Sequence, residues 1–461
     1  VEHLDLTKTF SLEKTYAPAI ICAGFALRLL VVLKSVCIEM DGIGYATVAD
    51  QFVNGLFREG LGSVFSPMYP FFVSLLHLAV PDVELAGRLI SLFFGTLLIW
   101  TSYLFAARLF RDRRKAMWTA ALVAFHPYLV EYSGRVLSES LATFLFASSA
   151  FSFYIGWEER KRSLLALSGF CLVLTYLTRP EYLVFYAPFV LVLLRRRRVL
   201  DCVSLLLPFL LLGVLYVTYL YAQTGTLIVA NRVRLSPFVT PAAALINLPF
   251  VSYEFMAAIL PLFFLLAIPG FFRTAVRPYR NLTMLFVVFH ILTLSFISHS
   301  TKRYSVEFVP LVLVFSVDGI FFVTSYVKRF LTAGVATGVI AGAVILLGMF
   351  AGFASPNSDR SLQKQAGLFL RDKGAGAVIA ARLPLAAFYA KGRPVNLVPE
   401  AREHRNIEGL NGVLADRRVD YLVIDEEAEN EMPFLREYLS GRTPIRSFGN
   451  HGAFVRIYRV S

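Results

Sequence analysis

Apolar residues run through this chain in long blocks separated by short polar interruptions, a spacing that predicts a polytopic α-helical membrane protein. Blocks near the length needed to cross roughly 30 Å of hydrocarbon fall at Tyr16–Val36, Leu85–Phe110, Ala116–Val130, Leu137–Trp157, Ser163–Leu177, Tyr182–Leu194, Val199–Ala222, Phe255–Phe272, Leu282–Ile297, Val306–Val327 and Leu331–Phe353. From about Pro356 the pattern changes. Leu362–Lys373, Pro384–Ala390, Ile407–Ala415 and Phe434–Leu439 read as helices, and Val378–Ala381, Val395–Val398, Tyr421–Ile424 and Phe454–Val460 as strands. Strands alternating with helices predict a small α/β domain. The expected division is a transmembrane domain over 1–355, with a first outer loop at 37–84, and a soluble α/β domain over 356–461.

Composition agrees with the pattern. Of 461 residues, 57% are hydrophobic and 17% charged, against roughly 45–50% and 25% in soluble domains. The net charge of +13 changes the picture only through its distribution. Basic clusters at Arg111–Lys115, Arg160–Arg162, Arg195–Arg198, Arg273–Arg280 and Lys328–Arg329 follow every second span. That alternation puts them on one side, the cytoplasm, together with Lys8 and Lys14, and predicts a non-cytoplasmic tail domain. It also accounts for the basic balance without a nucleic-acid partner. Cys22, Cys37, Cys171 and Cys202 have no metal spacing, and none lies in the tail, so no disulfide framework is expected. The polar opening leads into a segment long enough to span, so no cleavable signal peptide is expected.

Charged residues gather in the outer loops: Asp41, Glu139, Arg179, Glu181, Lys302 and Arg303. Charge at a membrane boundary is costly and marks candidate function. In the first loop, Tyr45, Val48, Ala49, Phe52, Val53, Leu56 and Phe57 recur at helical spacing, with Asp50 and Asn54 opposite. Such a helix is expected to lie flat on the membrane and hold Asp41 just above the lipid. Ser66-Pro67-Met68-Tyr69-Pro70 then turns the chain. Gly334, Gly338 and Gly342 form a small-residue row expected to pack closely against another helix. Arg28, inside the first span, either snorkels or pairs internally. Asp425-Glu426-Glu427 reads as a solvated strand end.

An Asp just outside the first span, a following Tyr and surface helix, and the Pro-Met-Tyr-Pro turn together resemble membrane glycosyltransferases of the GT-C fold. More narrowly, they are similar to bacterial relatives of the protein O-mannosyltransferases and of the lipid A aminoarabinose transferase. The resemblance continues through Arg135-Val136-Leu137-Ser138-Glu139, Thr178-Arg179-Pro180-Glu181, Arg303-Tyr304 followed by Pro310, and the α/β tail. It implies a glycosyltransferase of a bacterial inner membrane with a periplasmic active site. The sugar would move, with inversion, from a polyprenyl-phosphate donor to a hydroxyl on a lipid, glycan or protein acceptor.

By that resemblance Asp41 is the catalytic base, with Glu39 its rival; Gly42 stands where the family often carries a second acid. A carboxylate in this place removes the proton of the attacking hydroxyl and favours an oxocarbenium-like transition state. Glu139 is implied as a secondary acid holding acceptor or a divalent ion, although a first-turn helix carboxylate is stabilised by the macrodipole without any function. Arg179, Lys302 and Arg303 are implied to meet the donor phosphate and Tyr304 to orient it; cations here also suit headgroup anchors. Tyr45, Tyr69 and Arg58 belong to the implied substrate loop, and Arg58, Arg232 and Arg234 are weaker phosphate candidates. No cofactor is called for; the family has metal-dependent and metal-independent members, so a divalent metal stays open. His126 and His299 do not make a metal motif. The alternative is a transporter or flippase of lipid-linked saccharide, against which stand the lack of an inverted repeat and of paired broken helices.

Overall fold

The computed structural model describes residues 6–225, 239–297, 301–327, 333–353, 360–373, 376–397, 406–450 and 453–460. The chain divides into two compact units, Val1–Lys34 with Tyr45–Ala354, and Ser35–Gly44 with Ser355–Ser461.

The first unit is helical. α1 (Leu6–Lys34) leads to three helices of the first loop, α2 (Met40–Val53), α3 (Phe57–Leu61) and α4 (Met68–His77). Then come α5 (Val83–Phe110), α6 (Arg113–Phe125), α7 (Pro127–Tyr132), α8 (Glu139–Glu158), α9 (Arg162–Thr178), α10 (Tyr186–Arg195), α11 (Val199–Pro208) and α12 (Val214–Thr224). α13 (Pro241–Ile259), α14 (Pro261–Arg273), α15 (Arg277–Ser295), α16 (Val309–Val327) and α17 (Ala333–Phe353) complete it. Among the described residues, six helices are long and apolar enough to cross a membrane: Ala17–Lys34, Val83–Phe110, Glu139–Glu158, Val199–Gln223, Pro241–Ile259 and Lys302–Tyr326. Shorter apolar helices lie beside them at Met68–His77, Arg162–Thr178, Pro261–Arg273 and Gly338–Phe350. Leu200, Val203, Leu207, Leu211 and Leu215 stay exposed from α11 to α12, a face suited to lipid.

Prolines reshape two of the expected spans. Ala116–Val130 breaks at His126-Pro127 into α6 and α7. The expected span Phe255–Phe272 breaks at Leu260-Pro261, and residues 241–254, expected in a loop, are helical. In both places the proline has no N–H for the preceding turn. Leu260 takes a left-handed φ of 69° at its break, which separates α13 from α14.

Arg28 resolves in favour of internal pairing. It is fully buried. Its Nη1 donates to Gly24 O (3.0 Å) and Ala124 O (2.7 Å), Nη2 to Val123 O (3.0 Å), and Nε to Ser133 Oγ (3.2 Å). Val123 O is the carbonyl that residue 127 would have bonded had it not been proline. The guanidinium therefore caps α6 from another helix.

Close helix packing occurs away from the expected glycine row. A Cβ on Gly319 would land on the Leu266 carbonyl, and one on Gly270 on the Phe315 carbonyl. α14 and α16 thus touch backbone to backbone. Gly338 and Gly342 have nothing within 4 Å of such a Cβ, so for them the expectation fails. The first-loop helix also differs from expectation. α2 buries Tyr45, Val48, Ala49 and Phe52, the face expected to lie on lipid, while Val53, Leu56 and Phe57 remain exposed. Asp50 and His77 pair at 3.1 Å and tie α2 to α4.

The second unit is a three-layer α/β sandwich. It comprises α18 (Ser361–Arg371), β1 (Val378–Ala381), α19 (Leu385–Ala390), β2 (Arg393–Asn396), α20 (Ile407–Asp416), β3 (Tyr421–Asp425), α21 (Glu426–Glu431), α22 (Phe434–Tyr438), β4 (Arg446–Asn450) and β5 (Ala453–Arg459). The sheet order is β2-β1-β3-β5-β4, parallel among the first three strands and antiparallel beyond. Strand residues alternate between two cores. Ile379, Ala381, Val423, Val455 and Ile457 pack on α18 and α19. Ala380, Leu422, Ile424 and Tyr458 pack on α20, α21 and α22. Segment 35–44 belongs to this unit: Ile38 N donates to Tyr389 Oη (2.8 Å) and Lys364 Nζ to Val36 O (2.7 Å). The acidic run ends β3, and Glu426 and Glu427 are exposed as expected, but its charges are also engaged. Asp425 caps α21 through Ala428 N (2.7 Å), and Arg382 pairs with Asp425, Glu427 and Glu431.

Candidate active site

Four chain segments bring charge to one end of the first unit. Glu139 is the first residue of α8, where the helix dipole favours a carboxylate. Arg179 ends α9 in an extended conformation (φ −144°, ψ 103°), as a residue before proline prefers. Pro180 then opens a 3-10 turn, Pro180–Phe185, that carries Glu181. A second 3-10 turn, Lys302–Phe308, carries Lys302, Arg303, Tyr304 and Glu307 into α16.

Arg179 is the hub. It is 4% exposed, and Glu139 and Glu307 are fully buried. Its Nη1 lies 3.3 Å from Glu139 Oε1 and 3.1 Å from Glu307 Oε1, and its Nε lies 2.9 Å from Glu181 Oε1. Its guanidinium stands 5.0 Å from the centre of the Tyr304 ring. Arg303 pairs with Glu139 from the other side. Burial opposes the charge on Arg179, but Glu307, Glu181 and Glu139 outweigh it and hold its pKa well above the ordinary arginine value. Arg179, Glu139, Arg303 and Tyr304, picked from distant stretches of sequence, are therefore brought together. Arg179 turns its Nη1 and Nε to carboxylates. Arg303 is different, because its side chain keeps 30% of its surface accessible. Lys302 is exposed, with its Nζ donating to Tyr128 Oη (2.8 Å) and its backbone N–H to Glu254.

The other candidates fall elsewhere. Tyr69 is fully buried, and its hydroxyl bonds Gly87 O (2.9 Å) and Ser91 Oγ (3.0 Å). Tyr45 packs edge-on against Tyr69 at 5.1 Å, and its hydroxyl meets Ser138 Oγ at 3.0 Å. Both tyrosines pin the first loop to α5 and to the start of α8; they are packing residues and do not present a substrate surface. Arg58 is exposed on α3. Asp41 sits half-buried in the first turn of α2, and Glu39 just before it is buried; both belong to segment 35–44 of the second unit. His126 Nε2 lies 3.2 Å from Ile259 O and braces the two proline breaks. Arg232, Arg234 and His299 lie outside the described residues.

Sequence reasoning missed Glu307, Tyr128 and Glu254. Glu307 carried a signal, an ionisable residue inside an apolar run four positions after Arg303. Among the described residues no three His, Cys, Asp or Glu side chains converge as metal ligands. Glu139 Oε2 and Glu307 Oε2 have no hydrogen-bond donor, which leaves acceptor capacity for a hydroxyl or cation.

Multiple apolar helices with a small C-terminal sheet domain make this a GT-C fold, the architecture of membrane glycosyltransferases. A family model described as dolichyl-phosphate-mannose-protein mannosyltransferase matches residues 65–222, about a third of the chain, from α4 through α12. The match includes Glu139 and Arg179 but neither Asp41 nor Lys302–Tyr304. Over nearly the whole chain the fold is similar to the crystal structure of ArnT from Cupriavidus metallidurans bound to undecaprenyl phosphate, with a TM-score of 0.67, 12% identity and 98% of each chain covered. The apo structure of the same protein matches with a TM-score of 0.62, 12% identity and the same coverage. At that identity the likeness is one of fold. No curated protein matches the sequence.

Proposed function

We propose that the chain is a polyprenyl-phosphate-sugar-dependent glycosyltransferase working at the non-cytoplasmic face of a bacterial inner membrane. The observation that carries this reading is the cage of buried Arg179, Glu139 and Glu307 with half-buried Glu181 and with Arg303 at its edge. Buried charge of this density at a membrane boundary is costly and serves function more often than stability. The likeness of fold to a protein crystallised with undecaprenyl phosphate supports a lipid-phosphate donor. The basic clusters between alternate spans support the sidedness.

In the proposed reaction the acceptor hydroxyl attacks the anomeric carbon and gives its proton to Asp41. The bond from that carbon to the phosphate oxygen breaks, and polyprenyl phosphate leaves with the electron pair. Attack opposite the leaving group inverts the anomeric centre. Arg303 and Lys302 meet the charge that develops on the phosphate. Arg179 fixes Glu139, and Glu139 in turn fixes Arg303, so Arg179 is a positioning residue. Asp41 carries the role of base by resemblance alone.

The test is mass spectrometry of envelope lipids and glycans in a strain lacking the chain, complemented with wild type or Asp41→Asn. An acceptor that loses its sugar in the deletion and stays bare with Asp41→Asn is the expected result. A profile identical in all three strains would overturn the reading.

A further inference from the structure

At the opposite end of α16 from Arg303 lies a groove that the reaction does not use. α1, α6, α16 and α17 enclose a cavity of about 650 Å³, within the range of small-molecule sites. α6 supplies one wall through Arg114, Trp118, Ala121 and Phe125, a single helical face. Phe321 and Val344 stand across from it. Ala19, Ala23 and Ile345 line it and stay exposed, so it opens sideways to the surroundings.

Three properties define what fits. Polarity is graded: Arg114 and the Trp118 indole lie at one end and only apolar or backbone-satisfied groups beyond, since Thr324 already donates to Ile320 O at 2.8 Å. Length matches one leaflet: eleven residues from Arg114 to Phe125 rise about 16 Å, against roughly 15 Å for half a hydrocarbon core. Charge is free at the mouth. The neighbouring Lys115 is paired with Asp318 at 2.6 Å, whereas exposed Arg114 has no carboxylate partner among the described residues.

We infer that this groove is a binding site for an anionic glycerophospholipid, one acyl chain lying between α1, α6 and α17 and the headgroup phosphate meeting Arg114. Arginine and tryptophan at the rim suit a phosphate ester, and the apolar depth suits a saturated or singly unsaturated tail. The site lies in the leaflet of the basic clusters. Arg303 and Phe321 are eighteen residues apart, about 27 Å along the helix, so it is separate from the caged charges.

Native mass spectrometry of the full chain in mild detergent tests it, with phosphatidylglycerol and phosphatidylcholine of matched tails as probes. Wild type should retain one phosphatidylglycerol in preference to phosphatidylcholine, by about fivefold for one basic residue near a headgroup. Arg114→Glu should abolish that preference and leave phosphatidylcholine retention unchanged. Ala121→Trp should expel both lipids. Arg114 is exposed and unpaired, so its variant folds and decides the question even if the filled groove does not. Equal retention of the two lipids by wild type, or undiminished phosphatidylglycerol binding by Arg114→Glu, would overturn the proposal. So would displacement of bound phosphatidylglycerol by equimolar undecaprenyl phosphate, which would make the occupant a prenyl lipid.

Discussion

Two of the buried arginines of the first unit, Arg28 and Arg179, differ in what surrounds them. Arg28 meets three backbone carbonyls and a serine. Arg179 meets three carboxylates and an aromatic face. The first arrangement is neutral apart from the guanidinium itself and repairs a helix end that Pro127 leaves open. The second packs several ionised groups into one place and keeps carboxylate oxygens without donors. A buried arginine is thus explained by its partners and not by its burial. Carbonyl partners make Arg28 a structural pin, and carboxylate partners beside the half-open Arg303 make Arg179 part of the candidate site.

The sharpest way to break this comparison is to remove each guanidinium. Arg179→Ala leaves buried Glu139 and Glu307 and half-buried Glu181 with part-exposed Arg303 beside Glu139, and should cost about 3–5 kcal/mol, read as a large fall in thermal stability in detergent. Arg28→Met leaves buried carbonyls without donors, at about 1–3 kcal/mol for each group, and activity should fall only in proportion to folded protein. If Arg28→Met were inactive yet as stable as wild type, the division between pin and site would collapse.

Arg303→Ala sharpens the same point. The fold should survive, because Arg303 is part-exposed, while donor affinity falls about ten- to a hundredfold, the loss of one charge-assisted contact. Steady-state kinetics with the donor varied would read it as a rise in KM. A smaller contrast lies between two glycines. Gly319→Ala drives a methyl into the Leu266 carbonyl and should destabilise by about 1–3 kcal/mol. Gly342→Ala meets open space and should be neutral or slightly stabilising. The smallest effect belongs to an exposed pair. The hydrogen bond from Arg108 holds the Glu159 carboxyl down to about 2. Its contribution is present above the ordinary carboxylate pKa and is lost as pH falls toward 2. Wild type and Glu159→Gln should therefore differ by a constant amount above about pH 4.5 and converge as acid titration proceeds toward pH 2.

The helical architecture was largely legible because apolar runs of this length have one common use. What the runs concealed was their interruptions. Pro127 and Pro261 sit inside hydrophobic stretches, and hydropathy averages over them; reading each proline as a missing donor would have found both breaks. In the tail, β4 was missed because Arg446-Ser447-Phe448-Gly449-Asn450 has no apolar alternation; it is an edge strand held by β5 alone. The caged charges were half legible. Arg179, Glu139 and Arg303 stood at span ends, where charge attracts notice, but Glu307 was absorbed as the second residue of the apolar run Val306–Val327. Which of Arg179 and Arg303 has its fork committed depends on contacts between residues far apart in sequence, and no local pattern encodes that. Tyr45 and Tyr69 misled because an aromatic in a loop motif looks the same whether it packs or binds.

The Arg28 cap also sets an order of assembly. Ribosomes deliver α1 long before residues 123 and 124 exist, so a cation worth about 2.5–3.5 kcal/mol against insertion has at first only the Gly24 carbonyl of its own helix. Most of its partners are supplied only when α6 and α7 emerge, nearly a hundred codons downstream.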